Sequence, residues 1–234
     1  MGDLSFSARL KKSFLASAGD VVFGMEDGTV SIFGLVFGVA ATTTDTKTVL
    51  VAGASGAVAA AVSMMAGTYL DAETALDEAR GRAKALESEI RRDARAVLDR
   101  VAARLERSGL APDKAAAIAA LVESDPADLR SVAEALEAPE PEDGLPAARA
   151  LWMLVADFLA AAIPIVPFVL WPVPEARPVS AVVTLLLLVA LGAGRAVVGD
   201  RPVLRTIAET VAIGVAAALA GVAIGVGIAR AFGG

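Results

Sequence analysis

The chain has 234 residues, 56% of them hydrophobic and 21% charged, with a net charge of −6. Its mean hydropathy is +0.64, too apolar for an ordinary soluble domain, where apolar residues make up about 45–50%. It has no cysteine and no histidine, which excludes disulfides, thiolate and imidazole metal sites, haem–histidine ligation and Ser-His catalysis.

Charge is concentrated between Asp71 and Arg149, so the composition describes a membrane protein with one large polar insert. No basic patch with interleaved aromatics is present, which argues against nucleic acid as a partner. The expected domains are a polar N-terminal segment over 1–18, transmembrane helices 1 and 2 over 19–70, a cytosolic helical cap over 71–146 and transmembrane helices 3 to 5 over 147–234. The N-terminal segment carries Arg9, Lys11 and Lys12 and reads as a cytosolic lead-in. The apolar run after it is too long and too acidic for a cleaved signal.

Five segments are long enough to span a bilayer at about 20 residues each: 19–43, 48–70, 147–171, 179–199 and 204–231. The first, around DVVFGMEDGTVSIFGLVFG (Asp20–Gly38), holds Asp20, Glu26 and Asp27 with glycines at 24, 28, 34 and 38. Glycines four apart let a second helix approach closely. An ionisable residue within a span is costly and points to function by default. Positions 20, 24, 27, 31, 34 and 38 share one stripe of a helix.

A short polar turn, Thr42–Lys47, predicts a hairpin with the second span. The insert begins with a long mixed-charge helix that continues the second span toward Gly109, a C-cap stop. Pro112 opens another helix, Ser124-Asp125-Pro126 opens a third, and the linker APEPEDGLP (Ala138–Pro146) returns to the membrane. The insert is alanine-rich, with little core expected of its own, so packing against a second subunit is expected. The third span contains Pro164 and Pro167, and the turn WPVPEARP (Trp171–Pro178) is expected to end it. Lysine and arginine placement puts the N-terminus and the insert on the cytosolic side and the C-terminus outside.

For each candidate, a bland reading stands beside the functional one. Asp27 is either an interfacial charge paired with an arginine or a cation or proton site. Glu26, about 100° away around the helix, either meets lipid headgroups or faces another helix. Met64 and Met65 are either packing or soft ligands; a thioether beside a carboxylate favours Fe2+ over Mg2+ or Ca2+. Asp157 and Glu209 are either proton carriers or ion-paired, Glu209 with Arg205 one turn away. No nucleophile–base pair and no phosphate-cradling loop are evident, so enzyme activity and a prosthetic group are not expected.

VVFGMEDGTVSIFGLVFGVA (Val21–Ala40), AAAVSMMAGTYLDAE (Ala59–Glu73) and AAIPIVPF (Ala161–Phe168), in that order, resemble the vacuolar iron transporter family. The resemblance covers nearly the whole chain. It implies an all-α, five-span homodimer with a cytosolic cap between helices 2 and 3. Such a protein exchanges cytosolic Fe2+, and often Mn2+, for protons across the lipid bilayer, along a path between the two copies of helix 1. It also implies that Asp27 and Met64 are ligands on that path; in an exchange of this kind, protonation of Asp27, Glu26 or Glu209 from the acidic side is expected to expel the ion.

The sequence departs from the family at Gly56, where a glutamate is usual, and at Glu26, which stands where a small polar residue is usual and is expected to replace the lost carboxylate as a metal ligand. In the cap, the family's metal-binding Met pair falls on Ala133 and Glu134 and its glutamate on Glu137, while Glu89 lands on an acidic position of the first cap helix. The expected membrane is a prokaryotic plasma membrane, or a vacuolar one in a eukaryote. The alternative function is a membrane metal sensor or scaffold that does not transport.

Overall fold

A computed structural model describes residues 6–137 and 145–232. All its regular structure is helical: α1 (Phe6–Ala16), α2 (Ala18–Ala40), α3 (Thr46–Arg107), α4 (Pro112–Val122), α5 (Pro126–Glu137), α6 (Pro146–Leu170), α7 (Val173–Val198) and α8 (Val203–Phe232). Five of these, α2, α3 and α6–α8, are long and apolar enough to cross a membrane. The chain divides into two compact units. One comprises Met1–Leu70 with Asp143–Gly234, the other Asp71–Glu142.

In the membrane unit, α2 is the element the others cross. Its glycines are where other helices come nearest. A Cβ on Gly24 would meet the Met153 sulfur at 2.5 Å and its carbonyl at 3.1 Å, and one on Gly28 would strike the Asp157 carbonyl; both lie on α6. Further along, a Cβ on Gly34 would sit 2.9 Å from the Ala217 carbonyl oxygen and one on Gly38 2.6 Å from that of Gly221. From the α8 side, Cβ atoms on Gly221 and Gly225 would strike the Gly34 and Gly38 carbonyls. Two small-residue ridges therefore interlock backbone to backbone. Lipid tails are as apolar as leucine, so such crossings gain from dispersion and shape fit rather than from removing surface from water. The stripe read from the sequence is divided: Gly24 meets α6, Gly34 and Gly38 meet α8, and Asp27 and Ser31 turn to another side of α2.

The α7–α8 pair closes in the same way at Gly192, where a Cβ would meet the Ile207 Cα at 2.8 Å. The Ser180 hydroxyl donates to the Pro164 carbonyl at 2.7 Å and ties α7 to α6. The apolar centre holds Ile32, Val36, Val49, Phe168 and Val173, all essentially inaccessible. The spanning part of α3 joins through side chains instead. Gly53 receives Val36 and Ile165, and Gly56 receives Leu35 and Ile32. Outward positions such as Val51, Leu159, Val169 and Leu186 stay exposed, as a lipid-facing belt requires.

The helix ends are chemically set. Asp45 precedes α3 and accepts hydrogen bonds from the Thr48 N–H at 3.0 Å and the Lys47 N–H at 3.3 Å. The Thr48 hydroxyl donates to the same carboxylate. These bonds hold the Asp45 carboxyl below its ordinary value. At the end of α2, the Arg177 guanidinium donates to the Ala40 and Thr43 carbonyls, placing a cation where the helix dipole is negative.

Three sequence expectations need correction. The stretch Trp171–Pro178 is not a long turn. Only Trp171 and Pro172 separate α6 from α7, which starts at Val173 and carries Pro174 and Pro178 near its N-terminus. Proline in a first turn removes an N–H that has no helical acceptor anyway, so Pro174 opens α7 rather than breaking it. The long helix of the insert does not run unbroken to Gly109. Asp93 has non-helical angles (φ −155°, ψ 80°), and its carboxylate accepts from the Ala96 N–H at 3.0 Å, so it caps a new helix. The insert also has a core of its own. Leu86, Ile90, Val97, Leu98, Val101, Val122, Leu129 and Ala133 bury one another.

Other expectations hold. Gly109 (φ +98°) ends α3. Its N–H donates to the Glu106 carbonyl at 2.9 Å, while the Leu110 N–H reaches the Leu105 carbonyl at 3.2 Å, a Schellman closure. Pro112 and Pro126 each open a helix. The N-terminal lead-in is helical from Phe6 and leans on α6. Phe14 meets Trp152 edge-on at 5.1 Å, and the Trp152 indole N–H donates to the Ser13 hydroxyl at 3.1 Å. Most of the linker Ala138–Pro146 lies outside the described residues.

Candidate functional site

The charged residues of the spanning helices sort by whether a cation answers them. Asp20, at the start of α2, is held by Arg149 of α6 through two bonds, at 2.7 and 3.1 Å. Both side chains are only 16% exposed, and the fork geometry is the strong one for an arginine–carboxylate pair. Glu26 points toward α7 and α8. It accepts from the Thr210 hydroxyl at 2.6 Å and faces Arg195 at 3.4 Å. Glu209, at 34% exposure, lies between Arg201 at 3.0 Å and Arg205 at 2.9 Å. The reading of Glu209 as an ion-paired carboxylate matches this geometry.

Asp27 differs from all three. It lies on the stripe Phe23, Asp27, Ser31, Leu35, one turn apart each. Phe23 is 55% and Leu35 38% exposed, Ser31 is exposed and Asp27 is half-buried. This is the side of α2 that neither α6 nor α8 covers. Ser31 hydrogen-bonds the Asp27 carboxylate, and no lysine or arginine pairs with it among the described residues.

Asp157 on α6 is the second exception. It is completely buried, and neither carboxylate oxygen has a hydrogen-bond partner among the described residues. Its Oδ1 lies 2.8 Å from where a Cβ on Gly28 would stand, so only glycine fits opposite it. One turn before Asp157, Met153 is 2% exposed and turns its sulfur to Gly24. Sequence reasoning weighed Asp157 as a proton carrier or an ion-paired group but did not rank it with the site residues, and it gave Met153 no role. The available signal was spacing: Met153 and Asp157 are four apart on α6, as Gly24 and Gly28 are on α2. Met64 and Met65 are half-buried on α3.

In the polar unit, arginines occupy the acidic positions. Arg100 chelates Glu89 at 2.6 and 2.8 Å across the Asp93 break, and this holds the Glu89 carboxyl below its ordinary value. Arg130 binds Glu134 at 2.8 Å and approaches Glu87 at 3.8 Å. The side chain of Glu137 lies outside the described residues. No group of three or more acidic side chains placed to hold a metal occurs among the described residues.

The model of the VIT family matches residues 18–226. A relative described as "Vacuolar iron transporter 1", from Eucalyptus grandis, is 28% identical over 206 residues, covering 86% of this chain and 82% of the relative.

Proposed function

The chain belongs to the VIT family, and from that premise we propose that it is a homodimeric, proton-coupled transporter carrying Fe2+, and Mn2+ as a second substrate, out of the cytosol. The observation that carries this reading is Asp27. It is a half-buried carboxylate within a membrane-spanning helix, on the side of α2 that neither α6 nor α8 covers, with Ser31 as its side-chain partner. Such a group is costly in a bilayer unless it serves an ion or a proton. The exposed part of that stripe, Phe23 to Ser31, also suits a second copy of the chain packing against α2. Met64 joins the path from α3, its thioether biasing the site toward transition metals over Mg2+ or Ca2+. The description of the Eucalyptus grandis relative as a vacuolar iron transporter agrees with iron as cargo.

The geometry supports giving Glu26 and Glu209 a different part. Arginines already neutralise both, so they hold α2, α7 and α8 together, and Asp27 is left as the carboxylate at which metal and proton compete. In the cap, Arg100 and Arg130 sit where a metal on Glu89 or Glu134 would have to bind, which favours a structural cap over a metal-sensing one and weighs against the sensor reading. The N-terminus and cap face the cytosol in this scheme, following the lysine and arginine bias.

The test is Fe2+ and Mn2+ uptake into liposomes holding the purified protein, with and without an acidic interior. Uptake that rises with the acid gradient and disappears in Asp27→Asn is expected. Uptake by Asp27→Asn at the wild-type rate would refute the assignment. No uptake by an intact wild-type dimer under any gradient would favour the sensor.

A further inference from the structure

We propose that the outer face of α1, built on Lys11, Lys12 and Leu15, is a seat for anionic phospholipid at the membrane surface. The proposal goes beyond the transport reading and needs only that α2 spans a bilayer.

The position of α1 follows from its neighbour. Only Ser17 separates it from α2. The Ser17 N–H donates to the Ser13 and Phe14 carbonyls, and the Val21 N–H to the Ser17 carbonyl, so helical bonding continues across the join. The 23 residues of α2 rise about 35 Å, close to the thickness of the hydrocarbon core. α1 therefore lies where the hydrocarbon ends. Lys11 and Lys12 precede Ala18 by at most about 11 Å along a helix, within about one screening length of the surface at 0.1 M salt.

One side of α1 is taken by α6. Phe14 meets Trp152 edge-on, and Ser13 accepts from its indole N–H. Positions 8, 11, 12 and 15 share a different face, where Ala8, Lys11, Lys12, Leu15 and Ala16 line an open hollow. Leu15 is 60% exposed, and both lysines are exposed. The helix contains no aspartate or glutamate, and neither lysine has an acidic partner among the described residues. Asp20, in the first turn of α2, is taken by Arg149 and does not oppose an incoming anion. A soluble anion would satisfy the two ammonium groups but leave Leu15 in water. A lipid satisfies both: Leu15 enters the acyl boundary, the lysine stems lie along it, and the amines reach the phosphate. Trp152 sits at the same level, as an interfacial aromatic does.

The experiment uses the full chain in vesicles of equal parts phosphatidylglycerol and phosphatidylcholine, with bromine on the acyl chains of one lipid or the other. Bromine quenches tryptophan by contact, and the chain has two tryptophans. Trp152 reports on lipid beside α1 when read in Trp171→Phe. Trp171, at the other end of α6, is the control when read in Trp152→Phe. A lysine near an anionic surface contributes about fivefold to binding. Phosphatidylglycerol is therefore expected to be enriched about fivefold or more over phosphatidylcholine at Trp152 and not at Trp171. Lys11→Gln with Lys12→Gln, both at exposed positions, is expected to remove the enrichment. Asp27→Asn is expected to keep it, so loss of metal uptake and loss of lipid binding are read separately.

Equal quenching by the two lipids at Trp152 would overturn the proposal, as would the same enrichment at both tryptophans or enrichment that survives the double lysine variant. Loss of enrichment on adding inorganic phosphate, but not chloride of equal ionic strength, would make a free anion the ligand and overturn the lipid assignment. Weak quenching by both lipids at Trp152 in a dimer, restored when the dimer dissociates, would place a second copy on this face and overturn it too.

Discussion

Replacing Gly221 by alanine sets two opposed effects at one position of α8. Alanine favours the helix over glycine by about 1 kcal/mol. At Gly221 the new methyl would strike the Gly34 carbonyl oxygen, with the Gly34 carbonyl carbon at 2.8 Å. Both obstacles are backbone, so no side-chain rotamer can relieve them, and overpacking of this kind costs about 1–3 kcal/mol, occasionally more. Gly227, six residues on in the same helix, has nothing within 4 Å of its Cβ position and receives only the helix gain. The two variants therefore differ by the packing penalty alone. Taking about 2–3 kcal/mol for a backbone obstacle, and about 2–4 °C per kcal/mol for a chain of this size, Gly221→Ala should melt about 4–12 °C below Gly227→Ala. Thermal unfolding in detergent, followed through the two tryptophans of the chain, measures this. Equal melting temperatures for the two variants would mean that α2 and α8 do not cross at Gly34 and Gly221.

Three further outcomes are expected. Arg195→Met removes the cation beside Glu26. Because Arg195 is 38% exposed, the loss is smaller than for a fully buried pair, about 1–3 kcal/mol; the double variant with Glu26→Gln should recover part of it, and additive losses in the cycle would show that the two do not interact. Glu89 is held below its ordinary value of 4.5 by Arg100, so its contribution to the polar unit is complete above that pH and disappears as pH falls through the lower folded-state value. Acid titration followed by far-ultraviolet circular dichroism should show this loss, and Glu89→Gln should flatten it; identical titrations would deny the linkage. Asp45→Ala removes the acceptor for the first N–H groups of α3, and faster amide exchange confined to the first turn, around residues 46–50, is the expected readout.

The spanning helices were legible in the sequence because length and apolarity leave little choice in a bilayer, and because stops such as Gly109 carry their own backbone chemistry. The boundary at Trp171–Pro178 was misread because proline signals a break and a start equally well. Which it does depends on whether its missing N–H falls in a first turn. The Asp93 break escaped notice for a related reason. An aspartate amid arginines reads as one more surface charge until its carboxylate is seen accepting from Ala96. The core of the insert was underestimated because its leucines, isoleucine and valines come from four helical stretches that no single window brings together. At the candidate site, Asp27 was conspicuous as an acidic residue in an apolar run. Asp157 was equally visible, but its distinction from Glu209 lies in the absence of a partner, and partners come from other helices.

The sorting of carboxylates by partner also has a consequence for ion valence. In the membrane unit, Asp20 and Arg149 cancel, Glu26 and Arg195 cancel, and Glu209 has two arginines against it. Among the described residues Asp27 and Asp157 have no such partner, so with both ionised the membrane unit carries two carboxylates that no arginine answers. In a medium of low polarisability a residual charge acts over a long range and is expensive to leave behind. A sodium or potassium ion entering there would leave one charge unbalanced, and a trivalent ion would overshoot by one. For the transport proposed above, a doubly charged ion is the one that balances both carboxylates, a selection by valence that precedes any selection by ligand atom.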